Sequence, residues 1–480
     1  MRAVHYFALL FILIPAVILS GCGGSGMKFA PTPTGSFNNS SLNGRYAFSF
    51  TGSNQFGFVS VAGSLQADGN GNFNSGVEDV NSGNGVFTSI PVAGNYTIRA
   101  DGRGTANLAS SVASITLEFV VISPQHVLII RFDNNSSASG SMDLQDASAF
   151  NAASLQGSFV FNLSGIDANG NDLQQIGTFT TDGSATISSG ISDINDNGSV
   201  STNQAVSGSY SVGANGRGTA TIISKGTSNF AFYIVDANRL KLIQIDSVPV
   251  VAGDAFRQQT NLSNSSLNGG FAFTLGGRRG SNPLVAGGVF TADGNGNITS
   301  GVEDINSGSL SQNLALTNSS YSIAGTGRGT LTLNNSSGAF QFVIYPSSGG
   351  LQMMEIDLIA LSSGTAYAQQ GAFSTGTLTG NFGFNLTGVN NGGEFDEIAQ
   401  LAANGSGSWN GALDLNNSGG LSFGLATSGN YSLSGNGRGN ASLSISPGRM
   451  NFFIYAVSSS RVLFIEADSS APAVGSFEHQ

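Results

Sequence analysis

Apolar and polar residues alternate along many short stretches of the chain, as in β-strands that bury one face. The stretch "GRYAFSF" places Tyr46, Phe48 and Phe50 on the same side of a strand. The stretches "SITLEFVVI" and "HVLIIRF" are almost wholly apolar and rich in β-forming residues, with a Ser-Pro step between them. No stretch of the chain's internal repeats has the 3.6-residue apolar period of a helix. The pattern therefore predicts an all-β chain.

The strand pattern is repeated four times. The opening segment "SLNGRYAFSF" begins at Ser41, and related segments follow at steps of 113, 112 and 111 residues. Each copy is about 105 residues long, enough for a domain with a core of its own. We expect four tandem β-domains joined by short linkers. Their predicted bounds are 41–145, 154–258, 266–369 and 377–480.

Three polar landmarks recur with the same step in all four copies. Each copy closes on Gly-x4-Gln, at Gln145, Gln258, Gln369 and Gln480. A "GRG" turn carries Arg103, Arg217, Arg328 and Arg438. An apolar strand ends in Asp133, Asp246, Asp357 and Asp468. The arginine set predicts either a site that binds anions or carboxylates, or a structural role in which each arginine packs over one barrel end and pairs with the strand-ending aspartates.

Each copy contains about eight predicted strands linked by hairpin-length turns, which favours an antiparallel up-and-down barrel. Closing the sheet removes edges that four like sheets would otherwise offer to one another. A β-sandwich is the alternative. The Gly-x-aromatic opening resembles the first strand of the calycin group, which includes the lipocalins. That group carries Trp where this chain has Tyr46, Phe159, Phe271 and Phe382. The resemblance implies eight-stranded barrels.

The first residues have the layout of a secretory signal peptide, with Arg2 followed by an apolar run. The ending "LSGC" resembles the bacterial lipobox, which implies cleavage before Cys22 and lipidation of its thiol. Cys22 is the one cysteine in the chain, and an uncleaved membrane anchor is the alternative. We expect a signal peptide at 1–21 and a flexible tether at 22–40. Gly23, in place of the Asp of inner-membrane retention, favours the outer membrane or cell surface of a bacterium.

Composition narrows the possible partners. Only 9% of residues are charged and the net charge is −11, with no basic cluster, so a nucleic acid is excluded as partner. The 33 Phe residues supply apolar mass for packed cores and argue against disorder.

One acidic, glycine-rich motif occurs twice in nearly the same form, at Asp68–Gly83 and at Asp293–Gly308. Its Asp-Gly start predicts a hairpin turn, and its Asp-x-Asn (Asp79 and Asn81) predicts capping of the next loop. The alternative is a calcium loop, although Phe73 occupies the Gly position of an EF-type loop. Its ligands would be Asp68, Asn70, Asn72 and Asp79 in copy one, and Asp293, Asn295, Asn297 and Asp304 in copy three.

Candidate catalytic residues do not recur. Glu78 and Glu303 are replaced by Ser192 and Leu413 in the other copies. The chain after Cys22 holds two histidines, which are not in equivalent positions. We therefore predict no catalytic residues, no bound metal and no cofactor.

These observations predict a non-catalytic, lipid-anchored surface protein whose four domains form an extended stalk or adhesive array. Its predicted partners are the membrane, through the lipid on Cys22, and a surface glycan or protein, bound with avidity. The alternative is a carrier of small apolar ligands inside the barrels. A carrier needs an internal cavity, whereas the inward positions of Phe48, Phe50 and Phe119 predict filled interiors. A secreted hydrolase is less favoured, because the copies retain no acid or histidine for it.

Overall fold

In the part of the chain that the structure describes, the alternating stretches form 34 antiparallel strands, arranged as four β-barrels. The computed structural model describes residues 36–391, 393–445 and 448–480. The predicted signal peptide, Cys22 and most of the tether lie outside the described residues.

The bounds of the strands follow in chain order. Barrel 1 comprises β1 (Asn43–Asn54), β2 (Gly57–Asp68), β3 (Asn72–Ser82), β4 (Gly85–Ile98), β5 (Arg103–Ser110), β6 (Ser114–Ser123), β7 (His126–Asp133) and β8 (Ser136–Leu144). Barrel 2 comprises β9 (Gly157–Ile166), β10 (Asp172–Thr181), β11 (Thr186–Asp196), β12 (Ser199–Ala205), β13 (Ser207–Val212), β14 (Arg217–Ile223), β15 (Thr227–Asp236), β16 (Arg239–Gln244) and β17 (Val250–Arg257). Barrel 3 comprises β18 (Asn268–Arg279), β19 (Asn282–Asp293), β20 (Asn297–Asn306), β21 (Leu310–Ala315), β22 (Ser319–Ile323), β23 (Gly329–Asn335), β24 (Gly338–Ser347), β25 (Gly350–Glu355) and β26 (Leu361–Ala368). Barrel 4 comprises β27 (Thr379–Asn390), β28 (Gly393–Asn404), β29 (Ser408–Asn417), β30 (Gly420–Leu433), β31 (Arg438–Ile445), β32 (Gly448–Ala456), β33 (Arg461–Glu466) and β34 (Ala473–His479).

Every barrel is closed by pairing of its last strand with its first, such as β8 with β1 and β34 with β27. In barrels 2 and 3 the fourth strand position is divided into two short strands, β12 with β13 and β21 with β22. Each barrel therefore has eight strand positions in up-and-down order. The predicted all-β barrel fold is confirmed, and the β-sandwich alternative is wrong because every sheet closes on itself.

The period-two pattern places aromatic side chains inside each barrel. In barrel 1, Tyr46, Phe48, Phe50 and Phe119 are fully or almost fully buried in one core. In barrel 4, Trp409 lies in the core and donates its indole N–H to the Ser442 carbonyl at 2.9 Å. The predicted filling of the barrels by apolar side chains is observed.

Because eight strand positions are an even number, the chain enters and leaves each barrel at the same end, which we call the linker end. The opposite end, with the loops after the first, third, fifth and seventh positions, is the open end. Short 3-10 helices lie at the linker ends, at Asn39–Ser41, Ala147–Ala149, Ala153–Leu155, Asn264–Ser266 and Thr375–Thr377. Buried tyrosines fasten the chain there, as Tyr96 does by donating to the Leu42 carbonyl at 2.8 Å.

The four barrels form a closed ring. The first three strands of each barrel pack on the sixth to eighth positions of the next, as β2 packs on β15, β16 and β17. Barrel 4 completes the circle, because β27, β28 and β29 pack on β6, β7 and β8 of barrel 1. The predicted extended stalk is therefore wrong. The stalk prediction assumed that the copies do not pack side by side. In the structure, one side of each barrel packs on a different side of the next barrel.

Apolar side chains pack closely at the interfaces between barrels, beside the polar contacts. Ala47 and Ala62 of barrel 1 meet Tyr233 of barrel 2, and Ile398 of barrel 4 packs on Val120 of barrel 1. Glycine permits the close approach at the interface of barrels 3 and 4. A Cβ at Gly287 would lie 2.4 Å from the Tyr455 ring, so no larger residue fits without a shift of that interface.

Candidate functional site

A buried aspartate on the third strand of each barrel binds an arginine of the next barrel. At the junction of barrels 3 and 4, Asp304 accepts hydrogen bonds from Arg438, from Nε at 2.8 Å and from Nη2 at 2.7 Å. The Tyr455 hydroxyl donates to the same carboxylate at 2.8 Å, and the backbone N–H of Asn313 does so at 2.8 Å. Asp304 is completely buried, so its charge depends on these partners.

The same arrangement occurs at the two preceding junctions. Asp79 accepts from Arg217 at 2.8 and 2.7 Å and from the hydroxyl of Tyr233. Burial and the neighbouring carboxylate raise the pKa of Tyr233 well above 10.0, so its hydroxyl remains a donor. The third example joins Asp193 to Arg328 and Tyr345.

The junction that closes the ring uses a variant of this arrangement. Asp414 of barrel 4 lies 3.3 Å from Arg103 and 3.5 Å from Arg99 of barrel 1. Val120 pairs with Arg103 in the position that the tyrosine occupies elsewhere, and Arg103 also bonds Asp101 at 3.0 Å. A second arginine, Arg99, and a second carboxylate, that of Asp101, thus take the place of the tyrosine.

The asparagine of each Asp-x-Asn binds backbone carbonyls of the neighbouring barrel. Asn81 donates to the Gln244 carbonyl at 2.9 Å and to the Asp246 carbonyl at 2.8 Å. These carbonyls lie near the open end of barrel 2, so the open ends of neighbouring barrels lie together. The equivalent bonds are made by Asn195, Asn306 and Asn416.

The closing glutamines form a similar set at the linker ends. Gln480, the last residue of barrel 4, donates from Nε2 to the carbonyls of Asp101 at 3.0 Å and Val121 at 2.9 Å in barrel 1. The other closing glutamines, each bonded to the barrel that follows, are Gln145, Gln258 and Gln369.

The structure does not pair the recurring arginines with the strand-ending aspartates of their own copies. Each arginine begins or directly precedes the fifth strand position and points to the neighbouring barrel. The aspartates instead accept backbone N–H groups of their own barrel, as Asp246 does from Asn229 at 2.7 Å. The others are Asp133, Asp357 and Asp468, with the N–H groups of Thr116, Gln341 and Asn451.

The acidic motif forms a hairpin turn followed by a junction residue. Asp68 Oδ1 accepts the backbone N–H groups of Asn70 at 2.7 Å and Asn72 at 3.0 Å, and the bond from the Asn72 side chain helps to lower the pKa of Asp68. Asp79 pairs with Ala62, so Asp68 lies six residues further along β2, about 20 Å away. The four proposed calcium ligands of copy one are therefore not brought together.

Copy three has the same geometry. Asp293 accepts from Asn295 at 2.7 Å and Asn297 at 3.0 Å, while Asp304 pairs with Gly287 six residues away on β19. Among the described residues, no group of three or more His, Cys, Asp or Glu side chains is placed to hold a metal ion.

The titratable residues considered for catalysis lie in separate places. Glu303 is inside barrel 3, where burial raises its pKa to about 8 and Asn335 donates to it at 2.6 Å. Glu78 is inside barrel 1. His126 lies on the axis of the ring, whereas His479 packs edge-on against Phe382 at a ring separation of 5.1 Å.

The barrel interiors leave little space. Barrel 2 holds a cavity of about 50 Å³ among Phe159, Phe179 and Phe232, much smaller than the roughly 300–1,000 Å³ of ligand pockets. Barrel 1 holds a cavity of about 260 Å³ at its open end, with Glu78 and Arg131 in its lining.

A charge network lies where the barrels meet around the axis of the ring. Asp143 of barrel 1 is 2.9 Å from both Lys241 and Arg239 of barrel 2, and 2.7 Å from His126. Burial opposes ionisation, yet the cations hold the pKa of Asp143 well below 3.8. The network reaches barrel 4 through Glu478, which is 3.5 Å from His126.

On the open-end side of this network, the axis widens into a cavity of about 530 Å³ that is lined by residues of all four barrels. Its lining is supplied by the outward faces of the first, second, seventh and eighth strand positions. This cavity was not predicted from the sequence, because it depends on ring closure.

Comparisons with known proteins give no family. No family model matches the chain, and no curated protein matches it. Two solved structures of transferrin-binding protein B from Haemophilus parasuis Hp5, a double mutant and a single mutant, are each 10% identical to this chain. The matches cover 75% and 76% of this chain and 82% and 85% of those chains, each with a TM-score of 0.21, at which the similarity supports no argument. Within the described ranges, no helix has the length and apolar character to cross a membrane.

Proposed function

We propose that this chain is a non-catalytic, lipid-anchored bacterial surface protein that presents the loops of four barrels to a binding partner. One observation carries the proposal: the polar residues retained in all four copies hold the ring together. The arginines, the Asp-x-Asn pairs and the closing glutamines form the junctions between barrels. The polar residues that the four copies share therefore stabilise the ring. The loops, which differ between copies, are the proposed binding elements.

The open ends have the character of a binding surface. All nine large apolar side chains that are exposed in the described chain lie at or near open-end loops, and they come from every barrel. They are Phe56, Ile223, Val248, Leu310, Leu358, Ile359, Val389, Leu421 and Phe423. Leu358 is 87% exposed. In the proposed function these side chains contact the partner, and four sets on one ring favour avidity.

We propose that the membrane faces the other side of the ring. The described chain begins at the linker end of barrel 1, where the backbone N–H of Phe37 donates to the Ala100 carbonyl. In the proposed arrangement, the tether from Cys22 leads to this point, with the linker ends toward the membrane and the open ends away from it.

Two experiments in the native host test this proposal. Cys22→Ala is expected to move the protein from the membrane fraction to the soluble fraction, while Ser25→Ala in the same tether leaves it in the membrane. A Cys22→Ala protein that stays membrane-bound at full length contradicts the anchor. Leu358→Cys is expected to react with an impermeant maleimide on intact cells, and labelling only after lysis contradicts the outward orientation.

Carriage of a small ligand is a second candidate function, favoured by the cavity in barrel 1. Native mass spectrometry of the protein from its own host is expected to show a bound molecule if barrel 1 is a carrier. Val61→Phe, which fills that cavity, should then remove the molecule. An adduct that persists in this variant contradicts carriage by barrel 1.

A further inference from the structure

We propose that the cavity on the axis of the ring is a binding site for an uncharged, hydroxyl-rich ligand of the saccharide class. This inference deepens the proposed function, since it gives the surface protein a ligand site that exists only when the ring is closed. The cavity, about 530 Å³, falls within the size range of small-molecule sites, roughly 300–1,000 Å³.

The lining offers hydrogen-bonding groups that the protein itself does not use. The hydroxyls of Thr51, Ser164 and Thr274 come from barrels 1, 2 and 3, and each lies on an outward face of a first strand. Within the described chain, none of these three hydroxyls has a hydrogen-bond partner. A hydroxyl both donates and accepts, so three of them around one space match a ligand that does the same.

The charges at the cavity favour an uncharged ligand. Asp172 is the one charged residue of the lining, and it lies 3.3 Å from Arg278 of barrel 3. The network below the cavity is also internally paired, through Asp143 with Lys241 and Arg239. An ionic ligand would meet no unpaired charge of opposite sign there, whereas a neutral polar ligand keeps both pairs intact.

The rest of the lining suits the mixed surface of a sugar ring. Tyr367 and Phe58 supply aromatic rings, while Gly276 leaves the strand backbone open to close approach. The lining combines polar and apolar groups. The cavity inside barrel 2 is smaller and mostly apolar, with Gln175, Thr181 and Tyr210 among its lining residues.

Two glycines allow a matched test of the site. A Cβ at Gly276 would meet only the Val474 side chain, at 3.8 Å, so Gly276→Leu is expected to fill the cavity without displacing the backbone. Gly226 lies in a loop at the open end of barrel 2, and a Cβ there would have no atom within 4 Å. Gly226→Leu therefore adds the same side chain away from the cavity.

Binding is measured by saturation-transfer NMR on the chain from Ser36 to Gln480, with the uncharged disaccharides maltose, cellobiose, lactose and N,N′-diacetylchitobiose as probes. We expect at least one disaccharide to bind. Gly276→Leu should abolish that binding, Gly226→Leu should retain it, and Ser164→Ala should weaken it roughly fivefold, the effect of one hydrogen bond. Failure of all four probes, or binding that survives Gly276→Leu, overturns the proposal. Neither result bears on membrane anchoring, which Cys22→Ala tests separately.

Discussion

Removing one junction arginine should destabilise the ring far more than removing a surface arginine. Arg438→Met keeps much of the aliphatic length of the side chain but deletes both bonds to Asp304, at 2.8 and 2.7 Å. The carboxylate of Asp304 is then buried with only the Tyr455 hydroxyl and one backbone N–H as donors.

The magnitude follows from the burial of Asp304. Breaking a buried ion pair by removing one partner costs about 3–5 kcal/mol, because the remaining charge has lost its compensation. The matched control is Arg278→Met, which breaks a pair at 3.3 Å whose side chains are 30% and 38% exposed. An exposed pair of this kind contributes about 0–1 kcal/mol.

Differential scanning calorimetry of the chain from Ser36 to Gln480 measures both variants. A unit the size of the whole ring loses about 1 °C of melting temperature per kcal/mol, whereas a single barrel loses about 4–8 °C. Because every barrel is held on two sides, we expect one transition for the wild type and a loss of about 3–5 °C for Arg438→Met. If Arg438→Met and Arg278→Met shift the melting temperature equally, the junction account is refuted.

Three further predictions follow from the buried acids, the acidic turns and the closed barrels. Burial raises the pKa of Glu303 and of Glu397 to about 8, from 4.5, so the folded chain holds more protons than the unfolded chain between these values. Stability should therefore fall as the pH rises from about 5 to about 8, and Glu397→Gln should flatten the slope seen in calorimetry. A wild-type melting temperature that is higher at about pH 8 than at about pH 5 would contradict the raised pKa values of these two acids. Because Asp293 bonds the backbone of its own turn, millimolar calcium should leave the melting temperature unchanged relative to chelator, and a rise that Asp293→Asn abolishes would restore the cation site. Residues 266–370 expressed alone should fold cooperatively, since barrel 3 closes on itself, and a random-coil circular dichroism spectrum would contradict this.

The fold of each copy could be predicted from sequence because its signals are local. Alternation in "GRYAFSF" sets the inward face of the first strand, and the Asp68-Gly69 turn sets the second hairpin. Closure was predicted because it removes exposed sheet edges, with a β-sandwich as the alternative. These features depend on neighbours in the chain, which a sequence displays directly.

The ring was not predicted, although the sequence holds a signal for it. In an open array of four copies, one side of the first barrel and one side of the last would have no partner. Yet barrel 1 keeps Arg103, and barrel 4 keeps Asp414, Asn416 and Gln480, the residues that meet in the closing junction. Retention of both halves at the two ends indicates closure.

The axial cavity could not be found in the same way. Its lining residues Thr51, Ser164 and Thr274 lie on outward faces that the alternation marks only as polar. Which outward faces meet around an axis depends on packing between barrels. That packing rests on contacts such as Ile398 with Val120, between residues 278 apart in the chain.

Contact between barrel 1 and barrel 4 is the most direct test of the ring. Ser139 donates to Asn385 across the closing junction at 2.9 Å, so a Ser139→Cys and Asn385→Cys pair in a Cys22→Ser chain should form a disulfide within one molecule. Mild oxidation followed by non-reducing electrophoresis is predicted to give near-complete conversion to a faster-migrating, reductant-sensitive monomer. A Ser139→Cys and Gly435→Cys pair should give none, because a Cβ at Gly435 would have no atom within 4 Å. If the first pair yields only free thiols or cross-linked dimers, the four barrels do not form a closed ring.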